Sequence, residues 1–440
     1  MQDKVTETGA AHEVQAAGAS GKSGNSALKV LFASLIGTTI EYFDFYIFGT
    51  AAVLVFPKLF FGEADPTIAV LQSLATFGLA FVARPVGSAL FGHFGDRIGR
   101  KATLVASLLT MGLSTVFIGL LPSYASIGLA APILLAILRF GQGLGLGGEW
   151  GGAVLLATEN APPGKRTWYG MFPQLGGPVG FFLSGSVFLY LTAQLPEADF
   201  LDWGWRIPFV SSALLVFVGL YVRLNITETP EFQHVLEKHE RVKAPMIDVV
   251  FKHPQPLILG TLSAMGQFVL FYLITVFTLG WATSKLGYTR PDFLKLQLIS
   301  VLFFAAFIPV SAILSDKHGR TAGLLLGSIG IVIYGFFLGS MLGSGSPAIV
   351  VLALSIGMAL MGMCFGPLGG LASSLFPAEV RYTGSSLAFN MGGILGASLA
   401  PYAATWLATN YGLQYVGLYL SLMSVVSVVA LLMVKRRYGA

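Results

Sequence analysis

An all-α membrane protein of twelve transmembrane helices in two six-helix bundles is the fold class this sequence predicts, and three observations predict it. Of 440 residues, 55% are hydrophobic and only 11% charged, against about 25% charged in soluble domains. Apolar stretches of roughly 20 residues or more recur along the chain, each long enough to cross about 30 Å as a helix, which excludes the weak alternating pattern of a barrel. A charged loop motif occurs twice, as GDRIGRK at 95–101 and SDKHGRT at 315–321, with Asp96, Gly99 and Arg100 in register with Asp316, Gly319 and Arg320.

Residues 1–27 are polar and small and lack the short apolar core of a signal peptide; a disordered cytoplasmic tail is expected there. Twelve spans follow, at 28–56, 66–92, 102–121, 127–157, 167–194, 205–224, 255–283, 293–314, 321–342, 346–374, 382–409 and 413–434. The only long polar interior stretch, 225–254, links an N-terminal bundle (28–224) to a C-terminal bundle (255–440) that ends in a short basic tail. Lys and Arg fall on one side of this arrangement, at 164–166, in both charged loops, in the linker and in the terminal KRRY, whereas PEADFLD at 196–202 lies on the other with none. Both termini are therefore expected in the cytoplasm. Lys285 and Arg290 are exceptions, on the outer side with Asp292. The net charge of +5 is this inside bias and not a nucleic-acid patch, and the single Cys364 excludes an internal disulfide.

A second repeat reinforces the first: QLGGPVG at 174–180, in span five, is echoed by NMGGILG at 390–396, in span eleven. Two six-helix halves related as parallel repeats are the architecture expected of an alternating-access transporter with its site between the halves.

Several motifs also carry a family resemblance. GHFGDRIGRKATL at 92–104 resembles the loop 2–3 signature of the major facilitator superfamily, and RFGQGLGLGG from Arg139 its fourth-helix motif. IEYFDFYIFG, FVARPVGSALFGHFGDRIGRK, GGEWGGA, WGWRIPF, ETPEF and LFPAEVRYTGSSL are similar to the metabolite:proton symporter family, over essentially everything after residue 28. The resemblance implies an inner-membrane, multi-pass importer of organic acids such as 2-oxoglutarate, citrate and shikimate, or of zwitterions such as proline and betaine. It implies that Asp96 helps hold an outward-facing state, and that Glu228 or Glu231 of ETPEF accepts an arginine of the same network. Thr321 stands where the first repeat has Lys101, so the two gating networks are not expected to be equally strong.

The charges inside the spans carry the rest. A charge at the bilayer centre costs at least about 2.5–3.5 kcal/mol, so each one faces a cavity or a partner. They cluster in spans one, two and four, as Glu41, Asp44, Arg84, Arg139 and Glu149. The C-terminal half offers neutral groups, Gln267, Tyr272 and Asn390, and Gln142 and Gln174 add further polar handles to the substrate-binding set. Glu41 and Asp44, three apart, share a helix face flanked by Tyr42 and Tyr46. At 1.5 Å per residue they reach the depth of Arg139, so an Arg139–carboxylate pair is expected. Two close carboxylates cannot both ionise cheaply in low dielectric, which suits a proton-binding site; the other reading is a static ion pair locking spans one and four. Arg84 suits a substrate carboxylate or, alternatively, pairs with Glu149. Glu149 is read as structural or gating, and Asp96, Arg97, Gly99, Arg100, Asp316 and Arg320 as conformational latches.

The histidines lie in the tail, in loops or at span ends, with no nucleophile or metal spacing nearby, so neither an enzyme nor a cofactor or metal is expected. One-sided charge does not build a channel. The expected protein is a monomeric proton-coupled symporter of a small organic anion, a mono- or dicarboxylate. The alternatives are a symporter of a zwitterionic osmolyte, an antiporter, or a non-transporting sensor on the same fold.

Overall fold

The computed structural model describes residues 27–440 apart from 63, 99, 160, 163, 225–244, 378–379 and 440, and of 27–30, 92–98, 100–104, 156, 159, 222–223 and 245 the backbone alone. The latch expectations for Asp96, Arg97, Gly99, Arg100 and Glu228 therefore lie outside the described residues. The long elements are helical: α1 (Ala27–Leu54), α2 (Pro66–Ile98), α3 (Arg100–Leu120), α4 (Ala130–Leu146, continued by Trp150–Glu159), α5 (Arg166–Gln194) and α6 (Arg206–Leu224). After the linker come α7 (Pro254–Tyr272, a π-helical turn Leu273–Phe277, then Thr278–Lys285), α8 (Arg290–His318), α9 (Ala322–Leu342) and α10 (Pro347–Ser374). Last are α11 (Arg381–Gly393, a π-helical turn Ile394–Ser398, then Ala400–Asn410) and α12 (Leu413–Tyr438). No strand occurs among the described residues.

Among the described residues, ten helical stretches are long and apolar enough to cross a membrane. The third expected span coincides with α3, whose apolar part is the shorter Val105–Leu120. The eleventh coincides with α11, broken where Pro401 lacks the N–H that helix continuity needs. Two helices overrun their apolar spans, α2 to Ile98 and α8 from Arg290 to His318, because the polar ends stay helical beyond the apolar core. Prolines open α7, α8 and α10 in the first turn, where a missing N–H costs nothing. The linker ends in a short helix, Pro245–Lys252, that buries Val249 and exposes Phe251.

Glycines set how closely the helices pack. In GQGLGLGG of α4, Gly143 and Gly147 lie against the backbone of Ala80 and Arg84 in α2, while Gly145 meets Met111 and Ser107 of α3. Spacing of four keeps each pair on one helix face, the small-residue contact that lets membrane helices approach. The second repeat behaves the same way twice. Gly176 and Gly180 of α5 lie on Thr38, Thr39 and Tyr42 of α1, and the equivalent Gly392 and Gly396 of α11 lie on Thr261, Ala264 and Met265 of α7. The two sets of helices meet along α5 with α8 and along α2 with α11.

Candidate functional site

One end of the helix assembly is open. A vestibule of about 940 Å³ lies among the C-terminal ends of α1, α5, α7 and α11 and the N-terminal ends of α2 and α8. At its floor Val276 also lines a central cavity of about 10 Å³ with Tyr46, Gly49, Phe77, Tyr272 and Thr275, room for about one water. The π-helical turn of α7 forms part of both walls, the kind of helix irregularity that recurs at functional sites.

The other end is sealed by contacts between helices before the linker and helices after it. Trp150 stacks on Phe389 at 3.7 Å and 11°. Asn390 Nδ2 donates to Ser88 Oγ at 3.1 Å and to the Gly147 carbonyl at 3.4 Å, and the Tyr382 hydroxyl donates to the Gly148 carbonyl. Gln174 accepts from Trp150 Nε1 at 2.9 Å and donates to the Phe365 carbonyl at 2.9 Å. Asp316 Oδ1 accepts from the Thr167 amide at 3.1 Å and Oδ2 from the Trp168 amide at 3.0 Å, so it caps the first turn of α5 from across the interface. Arg320, of the same loop, is exposed.

Between the two ends lie the buried charges Glu41, Asp44, Arg84, Arg139 and Glu149; among the described residues after the linker none is buried. Asp44 is fully enclosed. Ser212 Oγ donates to its Oδ1 at 2.5 Å, Oδ2 has no partner, and Gln142 Nε2 donates to its backbone carbonyl at 3.0 Å and to Thr115 Oγ1 at 2.9 Å.

The expected pair of Arg139 with a carboxylate of α1 does not form. Arg139 Nη1 donates to Gln142 Oε1, Nε donates to the Phe77 carbonyl at 3.3 Å, and Nη2 has no partner. Its Cζ lies 4.0 Å from the ring centroid of Phe48, 4.2 Å from that of Phe45 and 4.9 Å from that of Phe77. Depth alone did not decide the contact. Phe45 and Phe48 follow Glu41 by four and seven residues and so share its face of α1, and their rings, with that of Phe77, occupy the space against the guanidinium, which stacks well on aromatics.

Arg84 does not pair with Glu149 either. Its Cζ lies 4.4 Å from Phe45 and 4.8 Å from Phe81, and its Nε has no partner. Within its electrostatic reach are Tyr272, Tyr42, Tyr46 and Glu41. Glu149 Oε1 instead accepts from Ser107 Oγ of α3 at 3.0 Å, because the glycine seam turns that part of α4 toward α3. Tyr42 and Tyr46 stack at 5.6 Å, Tyr46 touches Phe271 at 5.3 Å, and Tyr272 lies edge-on to Phe81 at 5.3 Å. Gln267, one turn before Phe271 on the same face, is buried with both amide atoms unpartnered.

Of the polar residues expected to face substrate, then, Arg84, Tyr42, Tyr46 and Tyr272 gather around the central region, Gln267 is buried without a partner, and Gln142, Gln174 and Asn390 are engaged in bonds between helices. Sequence reasoning missed Ser212, Thr115 and the ring set Phe45, Phe48, Phe77 and Phe81. The one available signal was the i, i+3 and i, i+4 spacing of those phenylalanines. Among the described residues no cluster of His, Cys, Asp and Glu is placed to hold a metal ion.

The model of the Major Facilitator Superfamily matches residues 34–397. The chain is 55% identical over 414 residues to the inner membrane metabolite transport protein YhjE of Escherichia coli (strain K12), covering 93% of this chain and 94% of that one. It is 33% identical to the shikimate transporter of the same organism (93% and 94% covered) and 33% identical to its proline/betaine transporter (91% and 82%). A crystal structure of a D-xylose-proton symporter superposes with a TM-score of 0.70 at 19% identity, over 92% of this chain and 96% of that one, a likeness of fold. The chain thus belongs to the Major Facilitator Superfamily, fits the metabolite:proton symporter branch its motifs resemble, and is a multi-pass inner-membrane metabolite transporter and not an enzyme.

Proposed function

We propose that this transporter is a monomeric proton-coupled importer of a small organic anion that works by alternating access between bundles 28–224 and 255–440, joined by the 225–254 linker. All twelve spans cross the membrane, the termini are cytoplasmic, and the vestibule opens to the outside, so the conformation described is outward-facing. Asp316, Asn390, Tyr382 and Trp150 form the closed inner gate. Asp44 carries the coupled proton, with Glu41 as the second acid, while Arg139 positions α1 through Gln142 and the Phe45 ring.

The observation that carries the anion reading is Arg84: buried, unpartnered at Nε, and within electrostatic reach of Tyr42, Tyr46 and Tyr272. A guanidinium there accepts a carboxylate bidentately. The relatives include both a shikimate and a proline/betaine transporter, so the zwitterion reading is the natural competitor. It is weakened because Phe45, Phe77 and Phe81, the rings nearest the site, already bear the protein's own guanidiniums, leaving Tyr42, Tyr46 and Tyr272 for a ligand cation. Proteoliposomes loaded with unlabelled solute and given labelled shikimate or labelled betaine, with and without an inward proton gradient, decide the matter. Proton-driven accumulation of the acid supports the proposal. Accumulation of betaine alone selects the zwitterion, gradient-independent exchange removes proton coupling, and binding without exchange makes the protein a sensor.

A further inference from the structure

Lys285 and Arg290 depart from the charge asymmetry of the other loops, and both line the vestibule with Lys58. Glu197 is the acid lining it among the described residues, and it is shared: its Oε1 accepts from Lys58 Nζ at 2.6 Å and from Arg290 Nη2 at 3.0 Å. Among the described lining residues, one carboxylate against these two cations leaves a surplus of one positive charge. Lys285 adds a second, with no ion-pair partner among the described residues. Asp65, beside the rim, is turned to the Thr67 backbone amide, which donates to its Oδ1 at 2.9 Å, and Asp292 pairs with Lys295 at 3.1 Å. Flanking Lys285 in the same wall, Trp281 Nε1 and Tyr288 Oη have no hydrogen-bond partner. A concave, low-dielectric funnel lined by one sign of charge concentrates ions of the opposite sign.

We infer that the vestibule is an anion-collecting site in its own right, in which Lys285, Lys58 and Arg290 hold small carboxylates above the transport site before they descend. It rests on the anion reading for its purpose, but not for its test. The local field at two positions of the vestibule wall, Ser284→Cys and Thr409→Cys, reports it through modification by thiosulfonates bearing a sulfonate or a trimethylammonium group. Each rate is normalised to that of 2-mercaptoethanol. Native Cys364 is 1% exposed, so the unmodified protein serves as the blank.

The expected result is about a tenfold preference for the anionic reagent at both positions at low ionic strength. It should collapse toward unity in 1 M salt, where the Debye length is about 3 Å, and fall severalfold with Lys285→Gln and with Lys58→Gln. A preference at Ser284→Cys alone would be the field of its neighbour Lys285 and would overturn the inference, as would a preference that survives both glutamine substitutions. Should the carrier prove to take only zwitterions while the preference is present, the anion reading of the transport site fails and the vestibule site stands.

Discussion

Gln174 and Asn390 hold equivalent places in the two repeated segments, and each donates its amide N–H to a backbone carbonyl across the interface, Gln174 to Phe365 and Asn390 to Gly147. The glycines that follow keep the same correspondence: Gly177 faces Phe365 and Phe304, and Gly393 faces Phe81. The repeat read in the sequence is therefore a repeat of contacts. In this conformation those contacts lie on the closed side, so breaking them is part of any passage to the opposite state.

Asp316 tests that closure. It satisfies two orphan amides at the start of α5, a capping contact worth about 0.5–2 kcal/mol, and under the alternating-access proposal it is lost when the gate opens. Asp316→Ala should shift the population toward the inward-open state by roughly 2- to 30-fold. Ser386→Cys, buried against Gly151, should then react faster with an impermeant thiol reagent from the cytoplasmic side. Unchanged labelling with normal transport would reduce the loop to a turn. The repeat makes the same expectation for Asp96→Ala.

The glycine seam gives a stability contrast. A Cβ on Gly147 would run into the Arg84 carbonyl, whereas one on Gly37 meets nothing within 4 Å. Overpacking typically costs about 1–3 kcal/mol, so Gly147→Val should lower the thermal midpoint of the purified protein by several degrees. Gly37→Ala should leave stability within about 0.5 kcal/mol. Equal midpoints for the two variants would mean that α2 and α4 do not depend on this contact.

The clasp at Glu197 has a defined pH dependence. The Lys58 hydrogen bond first, and then the charges of Arg290 and Lys58, hold its carboxyl below the usual carboxylate range. A depressed folded-state value means that the contribution is complete above the unfolded value near 4.3 and is lost as pH falls through the lower, folded value. Exposure and screening keep it below about 1 kcal/mol. Glu197→Gln should therefore be slightly less stable than the parent at pH 7, with the gap narrowing once pH falls below the unfolded value and closing as it passes the lower, folded one. A gap that persists in acid would assign the effect to packing.

The helices and the repeats were legible because apolar length, glycine spacing and duplicated motifs are one-dimensional signals. Which residues carry charge inside the spans was legible too. Their partners were not. Glu41, Asp44 and Arg139 could be placed at one depth from helix rise alone, but a pair also requires contact, and the space against Arg139 is taken by Phe45, Phe48 and Phe77, which come from two different helices. Gln142 and Asn390 looked like free polar handles for the same reason: the groups they bond, Thr115, Ser88 and two backbone carbonyls, belong to other helices.

Asp44 is the group to test for proton coupling. Asp44→Asn should abolish proton-driven accumulation while leaving solute exchange partly intact, and Glu41→Gln should act more weakly. Ser212→Ala removes the hydrogen bond to Asp44 Oδ1 and should move the pH optimum of uptake. Ser211→Ala should not, since its hydroxyl donates to the Pro208 carbonyl. Full accumulation by Asp44→Asn would exclude this residue from the coupling.

Arg84 and Arg139 both press on the Phe45 ring, but they are not equivalent toward a solute. Arg139 is fully enclosed by Phe45, Phe48 and Phe77 and donates to Gln142 and to a backbone carbonyl, so its loss should fall on folding and on the position of α1. Arg84 has no hydrogen-bond partner at Nε, and it lies within reach of Tyr42, Tyr46 and Tyr272. Arg84→Gln should weaken binding of a carboxylate solute by about 2–5 kcal/mol, the cost of losing a desolvated charge pair. Arg84→Lys should restore only part of it, because an ammonium cannot reproduce the planar fork. Arg139→Gln should lower the thermal midpoint more than it lowers the affinity of whatever correctly folded protein remains. Titration calorimetry on the three variants measures this ordering; an isotherm indifferent to Arg84→Gln but lost with Arg139→Gln would place the anion against α4 and return Arg84 to a purely structural role.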